Sequence, residues 1–514
     1  MRSHAISSDL FIPRDRRRSG LLLAVLVLWG IVAAAFFGLL WVSSDLSFLG
    51  PGSYLLPWIL LSATCILSPT AYLLYKRRFD PFHPLVFAAW SYIFPAFVVG
   101  GVIISMGWAD RYFTSFITDP EYNLPLTLVY ISVGYLALTA GFFSPVGTYI
   151  TRLIDRWTPK WQWSLDRMRL PGVLLLLAGV AFNFIGFVQG VLGYQKTTEL
   201  GVFDGLLFFL LTVLTIGSVL LWLVVFSARE RTAIHYLLIA VLLALVPLRP
   251  AMEGSRSGLF TALLPIAMAY VYSGRKFNWR IGTLFAIGGS LAVFIGITYG
   301  TTFRNIKGSE ERINSGEYLG QVVATVDYLS QEDTSLILQQ SVEATAQRID
   351  NLSSVAVVVA NYEALAPYEA SYGLQNNIFN DLSTSLVPRF VWPDKPQTSD
   401  PRAYSDLYFN FGDNSFAISP FGDLLRNFGP LGVPIGMLVL GIYLRFIYAA
   451  LIDTATPALW KKVAYFPLLT VVSYEGFFAT IFPSIIRTAF VLVICLLFVN
   501  LFSLQKRTAV QGAG

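Results

Sequence analysis

Stretches of about twenty consecutive apolar residues recur along this chain, and that is the length a helix needs to cross the roughly 30 Å hydrocarbon core of a bilayer. Twelve of them read as spans, near residues 21–42, 54–75, 84–106, 125–145, 170–192, 203–226, 233–248, 257–273, 281–300, 430–451, 463–480 and 484–503. In hydrocarbon the backbone must satisfy its own N–H and C=O groups, and runs this long do so as helices. A chain of 514 residues that is 55% hydrophobic and 13% charged also carries too much apolar surface for a water-soluble fold of its size. The expected class is all-α, a polytopic membrane helix bundle of about 12 spans. The first run is too long for a signal-peptide core and has no small-residue cleavage site after it, so it reads as an uncleaved span.

Charge placement predicts the orientation. With both termini in the cytoplasm, 23 of the 36 Lys and Arg residues fall in inner segments, including Arg14, Arg16, Arg17, Arg18, Lys76, Arg77 and Arg78. The short outer loops hold only Arg111, Lys196, Arg249, Arg256 and Arg487. That asymmetry is what the positive-inside rule requires, so the net charge of +5 reports topology and not a nucleic-acid partner. Cys65 and Cys495 both lie inside apolar stretches and read as small core residues.

The chain divides into an N-terminal bundle of nine spans (1–300), a large outer segment (301–429) and a C-terminal bundle of three spans (430–514). The outer segment holds 16 of the 31 acidic residues and is too long for a passive connector. Residues 318–366 read as two helices, the second with Val355 to Val359 beside polar Gln347-Arg348-Ile349-Asp350, lying on the membrane surface or capping the bundle. The remainder is turn-rich, and irregular loops beside a membrane are where sites concentrate.

Outer-face arginines are the clearest chemical anomaly. Arg249 and Arg256 sit in a short loop that ends Gly254-Ser255-Arg256-Ser257-Gly258, where small residues let a phosphate approach backbone amides at a helix start. Interface arginines reaching lipid headgroups are the competing account. Arg389 follows Pro388 in a stiff turn, Arg426 stands just before the tenth span, and Arg487 opens the twelfth. Among carboxylates, Glu475 falls in the outer half of the eleventh span, where an acid costs about 2.5–3.5 kcal/mol unless paired or wet. Glu253, Asp423 and Glu475 are the candidate proton acceptors, each of which can instead orient a neighbouring arginine. The three histidines, His4, His83 and His235, lie at or near the inner side, and neither a phosphate-binding glycine-lysine loop nor an Asp-x-Asp pair occurs. No metal, nucleotide or other cofactor is therefore expected at an outer site.

Four motifs resemble the Wzy-type O-antigen and exopolysaccharide repeat-unit polymerases of bacterial envelopes. They are Asp80-Pro81-Phe82-His83-Pro84-Leu85, Gly254-Ser255-Arg256-Ser257-Gly258, the run from Leu386 through Pro388-Arg389-Phe390-Val391-Trp392-Pro393 to Pro396, and Asn427-Phe428-Gly429-Pro430-Leu431-Gly432. The resemblance implies a GT-C-like, metal-independent glycosyltransferase of the bacterial inner membrane. It would join oligosaccharide repeat units carried on undecaprenyl pyrophosphate, with a flippase and a chain-length regulator as partners. Arg256 and Arg389 would then hold pyrophosphate, helped by Arg249, Arg426 and Arg487, and Trp392 and Tyr408 would stack on sugar faces. An O-antigen ligase and a lipid-linked oligosaccharide flippase or exporter stay open as alternatives; the first would be expected to bring a histidine base, the second a cationic pathway through the bundle.

Overall fold

A computed structural model of the protein describes residues 31–42, 50, 52–189, 191, 204–228, 230, 232–253, 257–275, 279–307, 315–331, 334–385, 387, 391–392, 395, 399–412, 415–454 and 456–504. Among these residues every regular element is helical. Among the described residues eight helices are long and apolar enough to cross a membrane: α2 (Ser53–Tyr75), α3 (Pro84–Ser105), α4 (Pro120–Phe143), α5 (Arg169–Val188), α6 (Gly205–Ser227), α9 (Arg280–Ile306), α16 (Gly432–Leu451) and α18 (Phe478–Phe502). Shorter apolar helices are α1 (Ile31–Val42), the apolar part of α7 (Ala233–Glu253) and α8 (Gly258–Tyr272). The protein is thus a helical membrane protein.

Prolines in the first turn start some of these helices, where a missing N–H costs nothing, as at Pro84 and Pro120. Pro120 moves the start of α4 five residues ahead of the expected span. Inside the spans, hydroxyls fold back on their own helix, Thr64 to the Leu60 carbonyl at 2.8 Å and Thr139 to that of Tyr135 at 2.9 Å. In hydrocarbon, helices gain little from burying apolar groups against each other, and close backbone approach at small residues takes over. A Cβ built on Gly141 would lie 2.1 Å from the Leu438 carbonyl oxygen, and one on Gly441 2.1 Å from that of Leu138. Those two contacts seat α16 directly along α4, and Gly179 does the same for α5 on α6.

Two expectations fail. The eleventh span, expected over 463–480, is helical only as α17 (Leu459–Thr470) and is followed by seven residues of irregular backbone. There the Ser473 hydroxyl accepts from the Glu475 and Gly476 N–H groups, competing with the helix ladder. The freed groups find partners in the large segment: Ser419 N–H donates to the Glu475 carbonyl at 2.9 Å. Residues 315–365 form three helices instead of two: α10 (Ser315–Gln331), α11 (Thr334–Ile349) and α12 (Leu352–Leu365). Asp350 breaks the run by accepting from the Ser353 N–H at 3.1 Å and hydroxyl at 2.6 Å, which starts α12 afresh. With Val355 to Val358 fully buried, α12 packs against α4, in keeping with the second of its two expected placements, a cap on the bundle.

The short helices α13 (Asn377–Thr384), α14 (Pro401–Phe409) and α15 (Ser419–Phe428) complete a layer over one end of the bundle, hereafter the loop end. Tyr112 O–H donates to the Phe409 carbonyl at 2.5 Å, and Asn361 Nδ2 to that of Phe116 at 2.9 Å, so the 107–119 connector joins this layer. At the opposite end Tyr272 O–H donates to Asp80 at 2.8 Å and Tyr465 O–H to the Phe82 carbonyl at 2.5 Å. Within α3, residues Ala89–Val99 around Pro95 wind with wider, π-type turns, which display Tyr92 toward the loop-end layer.

Candidate active site at the loop end

Two polar constellations stand at the loop end. The first is buried and built on α15, whose Asp423 and Arg426 share a face at a spacing of three. Asp423 Oδ1 accepts from Arg426 Nη2 at 2.8 Å and from the side-chain amides of Asn377 and Asn427, each at 3.2 Å; Oδ2 accepts from the Ala479 N–H at 3.0 Å. Arg426 Nη1 meets Glu369 Oε2 at 2.9 Å and the Leu374 carbonyl at 2.8 Å, and Nη2 also reaches Asn377 Oδ1 at 2.9 Å. Tyr408 O–H donates to the other Glu369 oxygen at 3.1 Å. Burial pushes the Glu369 carboxyl above its usual range, against the pull of Arg426. The sequence-based assignment put Arg426 on a phosphate and Asp423 on a proton; the structure binds them to each other, with the Arg426 Nη donors and the Asp423 oxygens facing internal partners.

Ser399 extends the cluster sideways. It accepts from Asn377 Nδ2 at 2.8 Å and donates to Asp381 Oδ2 at 2.6 Å. Burial raises the Asp381 carboxyl, while Arg487 and Lys395 pull it back. Arg487, in the third turn of α18, also lies over the Phe209 ring at 5.0 Å. Arg426 and Arg487 are therefore brought to one region, linked through Asn377, Ser399 and Asp381.

The second constellation is open to solvent. Arg348, at the end of α11, pairs with Glu475 in the irregular stretch after α17, and their side chains are 39% and 38% exposed. Glu475 is thus neither on a helix nor in a span, and its partner lies 127 positions away. Asn351 Nδ2 donates to the Tyr92 hydroxyl, and the Asn351 N–H to the Ala96 carbonyl at 3.3 Å, which seats the pair against α3. Next to it the Asp350 carboxyl is pushed up to about 6 by burial. A half-exposed arginine held by a carboxylate can exchange that partner for an incoming anion, which leaves the carboxylate free to accept a proton.

Of the other sequence candidates, Trp392 is 40% exposed and Tyr408 is buried, with Tyr404 packed on it at 5.0 Å, so only Trp392 presents a reachable ring. Arg249 and Glu253 lie in the last turns of α7 and are placed by backbone alone. Arg256 and Arg389 lie outside the described residues. Sequence reading passed over Arg348, Glu369, Asn377 and Asp381; only Arg348 carried a signal, as part of the polar run beside Val355 to Val359. No protein-family model, curated protein or solved structure matches this chain.

Proposed function

We propose that this protein polymerises oligosaccharide repeat units carried on undecaprenyl pyrophosphate, as a metal-independent glycosyltransferase acting at the outer face of a bacterial inner membrane. The reading keeps twelve crossings of the membrane, the eleventh made by α17 and the irregular stretch after it, with a GT-C-like arrangement, cytoplasmic termini, and a flippase and a chain-length regulator as partners. The observation that carries it is the half-exposed Arg348–Glu475 pair on the layer covering the loop end of a membrane bundle. An acceptor sugar hydroxyl gives its proton to Glu475 as its oxygen bonds to the donor's anomeric carbon. The bond from that carbon to the phosphate oxygen breaks, and the lipid pyrophosphate leaves with the electron pair. Arg348, Arg256 and Arg389, assisted by Arg249 and Arg487, stabilise the charge that collects on it, while Arg426 and Asp423 fix the layer. Trp392 stacks on a sugar face.

The test is chain growth in proteoliposomes supplied with lipid-linked repeat units on the outer face. The wild type is expected to make a ladder of products, and Arg256→Ala and Arg389→Ala to abolish it in folded protein. Movement of the lipid-linked unit across the bilayer without growth would overturn the proposal in favour of a flippase, and transfer of one chain to a lipid A core acceptor would favour a ligase.

A further inference from the structure

Helix α10 presents three different faces. At roughly 100° per residue, Tyr318, Val322, Thr325 and Leu329 fall on one side, and Tyr318 and Thr325 are buried there. Turning further, Leu319, Val323 and Val326 form a second stripe, 64%, 58% and 54% exposed. Glu317, Asp327 and Gln331 make the third, polar side. A helix resting only on protein needs two faces; an apolar stripe set beside a polar one, both uncovered, is the pattern of a helix lying in a membrane–water interface.

Its position fits that solvent. Tyr318 packs on Phe303 of α9 at 5.1 Å and on Phe187 of α5 at 4.8 Å, and its hydroxyl donates to the Ala251 carbonyl of α7 at 2.6 Å. All three partners are at the loop-end termini of apolar helices, so α10 sits at the level where those helices leave the hydrocarbon. The surface beside it is already apolar and uncovered: Phe184 and Val188 at that end of α5, and Leu291 and Ile295 on the exposed stripe of α9. The Leu319–Val323–Val326 stripe continues this lipid-facing surface out into the large segment.

We infer that α10 is an interfacial helix whose Leu319, Val323 and Val326 side chains are embedded among the acyl chains of the loop-end leaflet, with Asp327 toward water. The inference is independent of the enzymatic reading. Cys65 and Cys495 are buried, so a nitroxide label attaches selectively at an introduced cysteine. In proteoliposomes, a label at Val323→Cys is expected to collide with oxygen several-fold more than with a water-soluble nickel chelate, as at Leu291→Cys, and a label at Asp327→Cys to do the reverse. In the unmodified protein, a diazirine carried on a phospholipid acyl chain is expected to label Leu319, Val323 and Val326. Nickel access at Val323 equal to that at Asp327 would overturn the inference in favour of an aqueous face. Spin–spin broadening at Val323 with no acyl-chain labelling would overturn it in favour of a second copy of the chain.

Discussion

The Arg426 guanidinium and the Asp423 carboxylate, three residues apart on one short helix, meet at 2.8 Å with both side chains sealed from solvent. Glu369 completes a set in which one cation answers two acids. Removing one member of a buried ion set leaves an uncompensated charge, which costs about 3–5 kcal/mol. Arg426→Ala is therefore expected to lower the unfolding midpoint in detergent sharply, and Arg426→Met combined with Asp423→Asn and Glu369→Gln to recover much of the loss. An Arg426→Ala variant with wild-type stability and no chain growth would make Arg426 a ligand-binding residue instead of a tie.

The open pair behaves differently. Between half-exposed groups, screening leaves about 1 kcal/mol or less, so Glu475→Gln should barely move the unfolding midpoint. As a general base it should lose about 10²–10⁴-fold in the rate of chain growth. A proportionate fall in both stability and rate would assign Glu475 to structure alone.

Asp350 predicts a pH dependence with a definite sign. Its carboxyl is raised from 3.8 to about 6, so the folded state holds the proton more tightly than the unfolded chain does. The stabilisation it gives is complete below 3.8 and is lost as pH rises to about 6. Asparagine keeps the acceptor for Ser353 without the charge, so the midpoint of Asp350→Asn relative to wild type should climb between pH 4 and pH 7. A difference that stays flat across that range would refute the assignment.

Helix contact through glycine is testable by one methyl group. Gly141→Ala would put a carbon 2.1 Å from the Leu438 carbonyl oxygen, a backbone atom that cannot rotate aside. Overpacking of that kind costs about 1–3 kcal/mol, whereas Gly288→Ala, with open space around it, should be neutral by the same thermal assay.

Hydropathy made the bundle legible, because a bilayer demands long apolar runs and the chain supplies them. It hid the break after Thr470: Val471 and Val472 keep the window apolar, while Ser473 and Gly476, which divert the backbone, are too small to register. The site was less readable for a different reason. Arg426 and Arg487 looked like free outer-face charges because no local pattern announces Glu369 or Asp381, which the fold brings in from a turn and a helix more than forty positions away. Arg348 and Glu475 likewise become partners only once α11 is folded onto α3 and the irregular stretch after α17 meets it there.

The wide-turned stretch Ala89–Val99 sets how far α3 climbs and how the segment beyond it is rotated. Rewound into ordinary turns, the same residues would climb farther and rotate the segment beyond them, carrying Gly100 off the Asp350 backbone, which a Cβ at that glycine would already approach to 3.3 Å. Tyr92 would leave Asn351 in the same movement. Inserting or deleting a single residue between 89 and 99 is thus a sharper perturbation of Arg348 and Glu475 than most side-chain replacements beside them, because it shifts the axle on which that corner of the molecule is mounted.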